Sequence, residues 1–181
     1  KEWMEILLDF ETKNRYVIFD ESNKWLYLAV EKAGSVVTRY FLKAQRPFHI
    51  VILNEKNDIV LHIMRPFRFY FHRAEIIDSQ GQLLGAIERR FSFLNRVYSV
   101  FNNSGKEIFN LISPLLHPWT FHIKNGEIDY GRITKQWKGL LLEGFTDADN
   151  FGVVFPREWD VKLKALFLGS VFLIDFVHFE K

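Results

Sequence analysis

The chain has 181 residues, of which 48% are hydrophobic and 25% charged. This length is close to that of one typical domain, and the composition supports a buried core, which excludes a disordered or low-complexity chain. The 24 Lys and Arg residues nearly balance the 22 Asp and Glu residues, so no overall positive field indicates nucleic-acid binding, and the absence of cysteine excludes disulfides, thiolate metal sites and thioester-linked lipids.

Residues 1–13 precede the strand-rich part of the chain. Apolar residues recur there at the spacing of one helix face, which predicts a short amphipathic helix or a linker. These residues are Trp3, Ile6, Leu7 and Phe10. The segment has no secretory signal pattern, so we expect a cytoplasmic protein. The remainder, residues 14–181, is expected to form one domain.

Six times along the chain, two apolar runs flank a short polar turn, which is the pattern of a β-hairpin. The turns are rich in Asp, Asn and Gly, which tolerate left-handed backbone or hydrogen-bond to their own backbone. The paired runs are 16–19 and 25–30, 48–53 and 59–64, 74–77 and 83–87, 97–101 and 108–112, 121–123 and 128–130, and 140–145 and 151–155. We therefore expect twelve antiparallel strands in a meander.

Residues 161–179 are overwhelmingly apolar and contain no proline, which predicts one helix capped by Asp160. Its length of about 28 Å would also cross a bilayer core. Because about eight strands make a barrel that its own side chains fill, twelve strands enclose a lumen that needs another occupant. This argument favours a closed barrel around a central helix. Lys162 and Lys164 in the first turn favour the alternative, a single-pass membrane helix.

Four stretches, in fixed order along nearly the whole chain, carry a family resemblance. They are Phe10-Glu11-Thr12-Lys13-Asn14-Arg15-Tyr16, Gly131-Arg132-Ile133-Thr134-Lys135-Gln136-Trp137, Asp147-Ala148-Asp149-Asn150-Phe151-Gly152-Val153-Val154-Phe155-Pro156 and Phe172-Leu173-Ile174-Asp175-Phe176. The chain resembles the phospholipid scramblase family. The resemblance implies a tubby-like fold, a twelve-stranded barrel around a C-terminal helix, and calcium-dependent, bidirectional movement of phospholipids between membrane leaflets.

The resemblance also places a calcium segment at residues 147–158. Its spacing matches most of an EF-hand loop, with oxygen ligands at positions 1 and 3, a backbone carbonyl at position 7 and a glutamate at position 12. The five candidate ligand positions are Asp147, Asp149, Phe151, Val153 and Glu158. Phe151 stands where an oxygen ligand is expected, so we expect weak calcium binding, with a Kd of roughly 10⁻⁴ to 10⁻³ M. The alternative is a hairpin turn that uses Asp and Asn for turn chemistry.

A basic aromatic stretch covers residues 65–73. Arg65, Arg68 and Arg73 are interleaved there with Phe and Tyr, which suits anionic headgroups at a membrane interface or stacked single-stranded nucleic acid. Arg132 and Lys135 form a second, thinner basic row. We predict that these five residues bind membrane phospholipids, anionic ones in particular. The alternative is that the aromatic residues are core and the arginines are solvated.

The sequence contains no catalytic constellation. The six histidines show no metal-ligand spacing, and no glycine-rich phosphate loop or Gly-x-Ser-x-Gly motif is present. We therefore expect a protein that is not an enzyme, associates with membranes and moves phospholipids. The alternative is a non-catalytic lipid-binding or protein-interaction module on anionic membranes. The motifs indicate no small-molecule pocket and leave the oligomeric state open.

Overall fold

The computed structural model describes residues 15–20, 22, 24–32, 46–68, 71–136 and 150–179. Three predictions lie outside these ranges: the N-terminal helix or linker over residues 1–13, the strand over residues 140–145, and the calcium ligands Asp147 and Asp149.

Eleven strands form one antiparallel sheet, in which each strand pairs with the next along the chain. They are β1 (Arg15–Phe19), β2 (Trp25–Glu31), β3 (Phe48–Leu53), β4 (Ile59–Arg65), β5 (Arg73–Asp78), β6 (Leu83–Arg90), β7 (Asn95–Asn102), β8 (Glu107–Pro114), β9 (Thr120–Asn125), β10 (Ile128–Gln136) and β11 (Asn150–Val154). The strands coincide with eleven of the twelve predicted runs, and the meander is confirmed from β1 to β10. The prediction placed the run 140–145 between the last two strands, whereas β11 pairs directly with β10. Alternating inward positions are apolar, as in Ile50, Ile63 and Ile76, because one face of each strand is buried.

Closure is the part of the barrel prediction that the fold does not confirm. Within the described ranges β1 and β11 are the two edge strands, and no ladder joins them. The fold is therefore mainly β, an eleven-stranded antiparallel sheet with one helix.

The helix α1 (Val161–His178) lies inside the curve of the sheet. Asp160 caps its N-terminus by accepting a hydrogen bond from the Leu163 amide at 2.9 Å. Every residue from 169 to 176 is buried, and at 3.6 residues per turn this run covers all sides of the helix. The predicted buried placement is confirmed. Among the residues described, no helix is long and apolar enough to cross a membrane.

Contacts from both edge strands show how far the sheet wraps around α1. The Tyr16 hydroxyl on β1 donates a hydrogen bond to Asp175 at 2.9 Å, and the Tyr16 ring lies 5.1 Å from that of Phe172. On β11, the Phe151 ring lies 5.8 Å from that of Phe179, which caps the helix C-terminus. Both edges of the sheet therefore reach the same helix.

The two ends of the sheet differ in composition. At the end nearest the helix N-terminus, which we call the polar end, four turns use the same device. An Asp or Asn side-chain oxygen accepts hydrogen bonds from the backbone amides two and four residues later. The residues are Asp20, Asn54, Asp78 and Asn102. We call the opposite end, around the last turn of α1, the mouth.

Candidate functional site

The inward face of the sheet changes from apolar to basic at the mouth. Along β4 the inward positions are Leu61, Ile63 and then Arg65, because side chains on one face recur every second residue. Other strands end in the same way. The inward basic residues at this end are Arg46, Arg65, Arg89, Arg96 and Lys135, and we call them the mouth cluster.

Three members of the cluster lie against the aromatic rings at the end of α1. The Arg46 guanidinium is 4.4 Å from the centre of the Phe176 ring. Lys135 Nζ is 3.9 Å from the centre of the Phe179 ring, and the Arg96 guanidinium is 5.9 Å from the same centre. Cation–π contact of this kind offsets part of the cost of removing these charges from water.

Arg46 is neutralised by a buried ion pair. Its Nη1 contacts Glu31 Oε1, and its Nη2 donates to Glu31 Oε2 at 3.2 Å. Both side chains are almost fully buried, so the pair is held in two-point geometry away from solvent.

His72, which lies against Arg65, is neutral. Arg65 Nη2 lies against His72 Nδ1, and since an arginine only donates, this nitrogen must accept and the imidazole is neutral. Burial, with Arg65 and Arg89 as secondary causes, lowers the pKa of His72 to about 4. The histidine therefore adds no positive charge to the mouth at neutral pH.

His178 is a second neutral histidine at the mouth. Burial, with the nearby Arg96, Arg89 and His72 as secondary causes, lowers its pKa to about 3. Burial also raises the pKa of Tyr98, whose hydroxyl lies beside His178. The permanent positive charge of the mouth therefore belongs to the arginines and Lys135.

The mouth cluster holds more positive than negative charge. Five cations face two carboxylates, Glu31 and Asp175, among the described inward-facing residues at this end. Arg89 is half-buried, and among the residues that the structure describes none forms a hydrogen bond or an ion pair with its guanidinium. Crowded cations in a partly desolvated site attract an anion such as a phosphate or carboxylate, since charge-assisted hydrogen bonds are stronger there than in water.

The structure separates the five predicted lipid-binding residues. Arg65 and Lys135 are buried in the mouth cluster. Arg68 and Arg73 lie on the outer face, where both approach Glu88 Oε2, at 3.9 and 3.3 Å. The five residues do not form one site.

Arg132 is the predicted lipid-binding residue farthest from the others. It is exposed on β10, between its cross-strand partners His122 and Val154. It belongs to neither the mouth cluster nor the group around Glu88.

The described part of the calcium segment is extended. Phe151 and Val153 lie on β11, paired with Lys135 and Ile133 of β10, and Glu158 lies in a turn before α1. Phe151 is at the mouth and Glu158 is at the polar end, an arrangement that differs from the wrapped loop of an EF-hand. The described ranges contain no group of three metal-ligating side chains. The calcium site stays a prediction.

The sequence analysis missed Arg46, Arg89 and Arg96. A signal was present: each basic residue stands two positions from a buried apolar residue of the same strand face, as Arg89 follows Ile87 and Arg96 precedes Tyr98. Extending the period-two pattern by one step would have placed these side chains inward.

Comparison with known proteins adds what the geometry alone does not give. A family model described as Scramblase matches residues 1–181. The chain belongs to the scramblase family.

Three similar proteins illustrate the relationship within the scramblase family. Mouse phospholipid scramblase 1 is 34% identical over 194 aligned residues, which cover 99% of this chain and 59% of the relative. Bovine phospholipid scramblase 2 is 32% identical, with 99% and 66% covered, and human phospholipid scramblase family member 5 is 28% identical, with 99% and 71% covered. The chain thus spans about three fifths of the mouse protein. No solved structure matches the chain significantly.

Proposed function

We propose that this scramblase-family chain moves phospholipids in both directions between membrane leaflets, in a calcium-linked manner. The observation that carries the proposal is the excess of inward-facing cations at the mouth, in a chain whose relatives are named phospholipid scramblases. Every phospholipid carries a phosphate, and guanidinium groups bind phosphate by paired, charge-assisted hydrogen bonds. The mouth cluster is therefore the proposed headgroup site.

The buried helix restricts where a headgroup travels. A headgroup needs a polar path through hydrocarbon, and the interior of the sheet is filled by apolar side chains of α1. The proposed action therefore takes place at the mouth and not through the sheet. Arg89 and Arg96 are the members best placed to bind a phosphate, because they are half-buried whereas Arg46, Arg65 and Lys135 are nearly inaccessible.

A tubby-like closed barrel is the architecture proposed for the complete domain. The contacts of β1 and β11 with the same helix support it, and the predicted strand over residues 140–145 is the twelfth strand of this proposal. We propose a cytoplasmic protein held peripherally at the membrane, with anionic lipids attracted by Arg68, Arg73 and Arg132.

Calcium is the proposed trigger, bound weakly by the segment that contains Asp147, Asp149, Phe151, Val153 and Glu158. Calorimetric titration with calcium tests this directly. Glu158→Gln removes the carboxylate at the last loop position and should weaken binding, whereas Glu55→Gln, in an exposed turn, should not. Equal binding by both variants would remove Glu158 from the site.

A leaflet assay tests the scrambling activity. The purified chain is added to vesicles with a fluorescent phospholipid in both leaflets, and a membrane-impermeant reductant then reports how much lipid exchanges, with calcium and with a chelator. We expect calcium-dependent exchange that falls several-fold in the Arg89→Gln/Arg96→Gln variant. The matched control is Lys56→Gln/Lys106→Gln, which removes the same charge from exposed turns at the polar end.

The buried helix supports one alternative, a non-catalytic lipid-binding or protein-interaction module on anionic membranes. A sheet filled by an apolar helix has no internal polar path, so binding without translocation is physically simple. Vesicle binding without leaflet exchange, with calcium present, would reject scrambling and support this alternative.

A further inference from the structure

The loops at the mouth expose large apolar side chains to solvent. In the loop over residues 91–94, Phe91, Phe93 and Leu94 are all exposed, Phe93 by 83%. The Phe91 and Phe93 rings touch only edge to face, with centres 4.8 Å apart, so their contact leaves most of both rings in water. Contiguous exposed apolar residues of this kind are uncommon on a soluble protein and mark a contact surface.

Two neighbouring loops share this property. The loop over residues 115–119 exposes Leu115, Leu116 and Trp119, with Leu116 exposed by 89%. The loop over residues 66–72 exposes Phe67 and Phe71. We call the apolar residues of these three loops the apolar rim. The rim lies along one side of the mouth, because its loops join the consecutive strands β4 to β9 at the end that packs around the last turn of α1.

Phe71, a residue of the rim, has a backbone conformation that bulky residues disfavour. Its backbone has φ of 48°, in the left-handed region that a bulky residue rarely adopts. A strained backbone that holds an aromatic ring in solvent fits a surface selected for binding.

The polar end shows the opposite composition. The described hairpin turns at this end, over residues 54–58, 79–82, 103–106 and 126–127, contain only Asn, Asp, Glu, Gln, Ser, Lys and Gly. Exposed apolar residues near this end, such as Ile128 and Val161, stand outside those turns. The loops at the mouth are therefore apolar, whereas the described hairpin turns at the opposite end are polar.

Positive charge accompanies the rim. Arg68, in one of the rim loops, is substantially exposed and lies 3.9 Å from Glu88. The mouth cluster lies just inside the same end. Apolar side chains with cations immediately behind them match a bilayer interface, in which acyl chains lie behind a layer of anionic headgroups.

We propose that the apolar rim inserts into the interface of a membrane that contains anionic phospholipids, with the C-terminus of α1 directed toward the bilayer. A flat partner contacts all three loops at once because they lie side by side at one end of the sheet. Phe, Leu and Trp lie at the boundary of acyl chains and headgroups, and the mouth cluster is then at phosphate level. The inference rests on the proposed function in one respect, that the partner is a membrane, and adds which surface docks and in which orientation.

Sedimentation with vesicles tests the docking surface. The vesicles contain phosphatidylcholine with phosphatidylserine, and a second set contains phosphatidylcholine alone. The test variant Phe93→Asp/Leu116→Asp places two carboxylates on the rim. The matched control Ile128→Asp/Val161→Asp makes the same change in charge at two exposed apolar residues near the polar end, where the native residues are exposed by 59% and 80%.

We expect the rim variant to bind anionic vesicles at least tenfold more weakly than the native chain, and the control to bind within about twofold of it. Native binding to the neutral vesicles should be weaker than to the anionic ones. Thermal unfolding of each variant checks that the fold is kept. Equal loss of binding in both variants would overturn the proposal, as would full binding by the rim variant.

A probe of orientation keeps the test independent of stability. The chain has no cysteine, so a single introduced thiol is labelled selectively with an environment-sensitive dye. With vesicles, the emission of a label at Leu116→Cys should shift to the blue, and that of a label at Lys106→Cys should not. A shift at the second position alone would reverse the orientation and sink the inference.

The outcomes separate this inference from the proposed function. Docking through the rim without leaflet exchange rejects scrambling and keeps the inference. Leaflet exchange that survives in the rim variant rejects the inference and keeps scrambling. Failure of the native chain to bind either set of vesicles rejects both, and would leave the rim to a protein partner.

Discussion

The Tyr98 hydroxyl on β7 lies 2.9 Å from Nε2 of His178, in the last turn of α1. The two residues are 80 positions apart, and their contact joins the sheet to the helix at the mouth. Tyr98 is completely buried, so the neutral form of both groups is favoured there. Charging either of them would therefore work against the fold.

Stability should fall as the pH is lowered from about 7 to about 5. Burial lowers the pKa of His178 to about 3 and that of His72 to about 4, from an ordinary 6.5, so the unfolded chain takes up protons that the folded chain does not. Stability contributed by the neutral histidines is complete above pH 6.5 and is lost progressively toward pH 3 to 4. We expect His178 to account for a loss of about 2 kcal/mol by pH 5, and the more solvent-screened His72 for a smaller loss, measured by urea unfolding.

Two variants distinguish the effect of His178 protonation from that of the hydrogen bond between Tyr98 and His178. His178→Gln should flatten part of the pH dependence, because one buried titrating group is gone. Tyr98→Phe should cost about 1 kcal/mol at every pH and keep the slope. A slope unchanged in His178→Gln would show that other groups cause the acid sensitivity.

Replacing only one residue of the ion pair between Arg46 and Glu31 should lower the stability of the fold strongly. Glu31→Gln or Arg46→Met leaves one buried charge without its partner, and each should lower the free energy of unfolding by about 3 kcal/mol. The double variant Glu31→Leu/Arg46→Met removes both charges and should lose much less than the sum. Additive losses in denaturant unfolding would show that the two residues are not energetically coupled.

Gly169→Ala should destabilise the fold although alanine is the better helix former. A Cβ at this position would lie 2.5 Å from Cγ1 of Ile76, closer than real contacts allow. Overpacking of this kind costs about 1 to 3 kcal/mol, more than the gain of about 1 kcal/mol in helix propensity. Thermal unfolding measures the balance.

Shortening the side chain of Ile76 should remove the destabilising effect of Gly169→Ala. In an Ile76→Ala background, where the clashing atoms are absent, Gly169→Ala should become neutral or stabilising. The same loss in both backgrounds would mean that α1 does not pack on β5 as described.

Replacing the turn residue Asn102 should lower stability more than replacing its neighbour Asn103. The Asn102 side-chain oxygen accepts from the amides of Ser104 and Lys106, at 3.1 and 2.9 Å, so Asn102→Ala should cost about 1 kcal/mol. Asn103 is exposed in the same turn, and Asn103→Ala should change stability by less than about 0.5 kcal/mol. Urea unfolding of both variants gives the comparison; a larger effect at Asn103 would contradict the turn geometry.

Turns and strand faces were predictable because their causes are local. The side chains of Asp78 and Asn102 shape their own turns, and the alternation of Ile59, Leu61 and Ile63 identifies the buried face without knowledge of the neighbours. The helix was predictable from its apolar composition, and its placement from the size of the lumen that the strands enclose.

The site was less predictable because it depends on register and curvature. Glu88, Arg89 and Arg90 form a charged run that suggests a solvated strand end, yet Arg89 faces inward and its neighbours face outward. Similarly, Arg65 and Arg68 lie in the same basic aromatic stretch of the sequence. In the structure Arg65 is buried at the mouth, whereas Arg68 lies on the outer face. Only the wrapping of the sheet around α1 brings together the five cations of the mouth cluster, which come from five different strands or strand ends.

The helix that completes the core follows all eleven strands in the sequence. During synthesis, the apolar inner faces of those strands leave the ribosome before the residues that will cover them exist. Until α1 emerges, the side chains of Ile50, Ile63 and Ile76 have no helix to pack against. The nascent sheet therefore exposes apolar surface and is prone to aggregation. We expect the nascent chain to bind chaperones at this stage and to be released after α1 has left the exit tunnel.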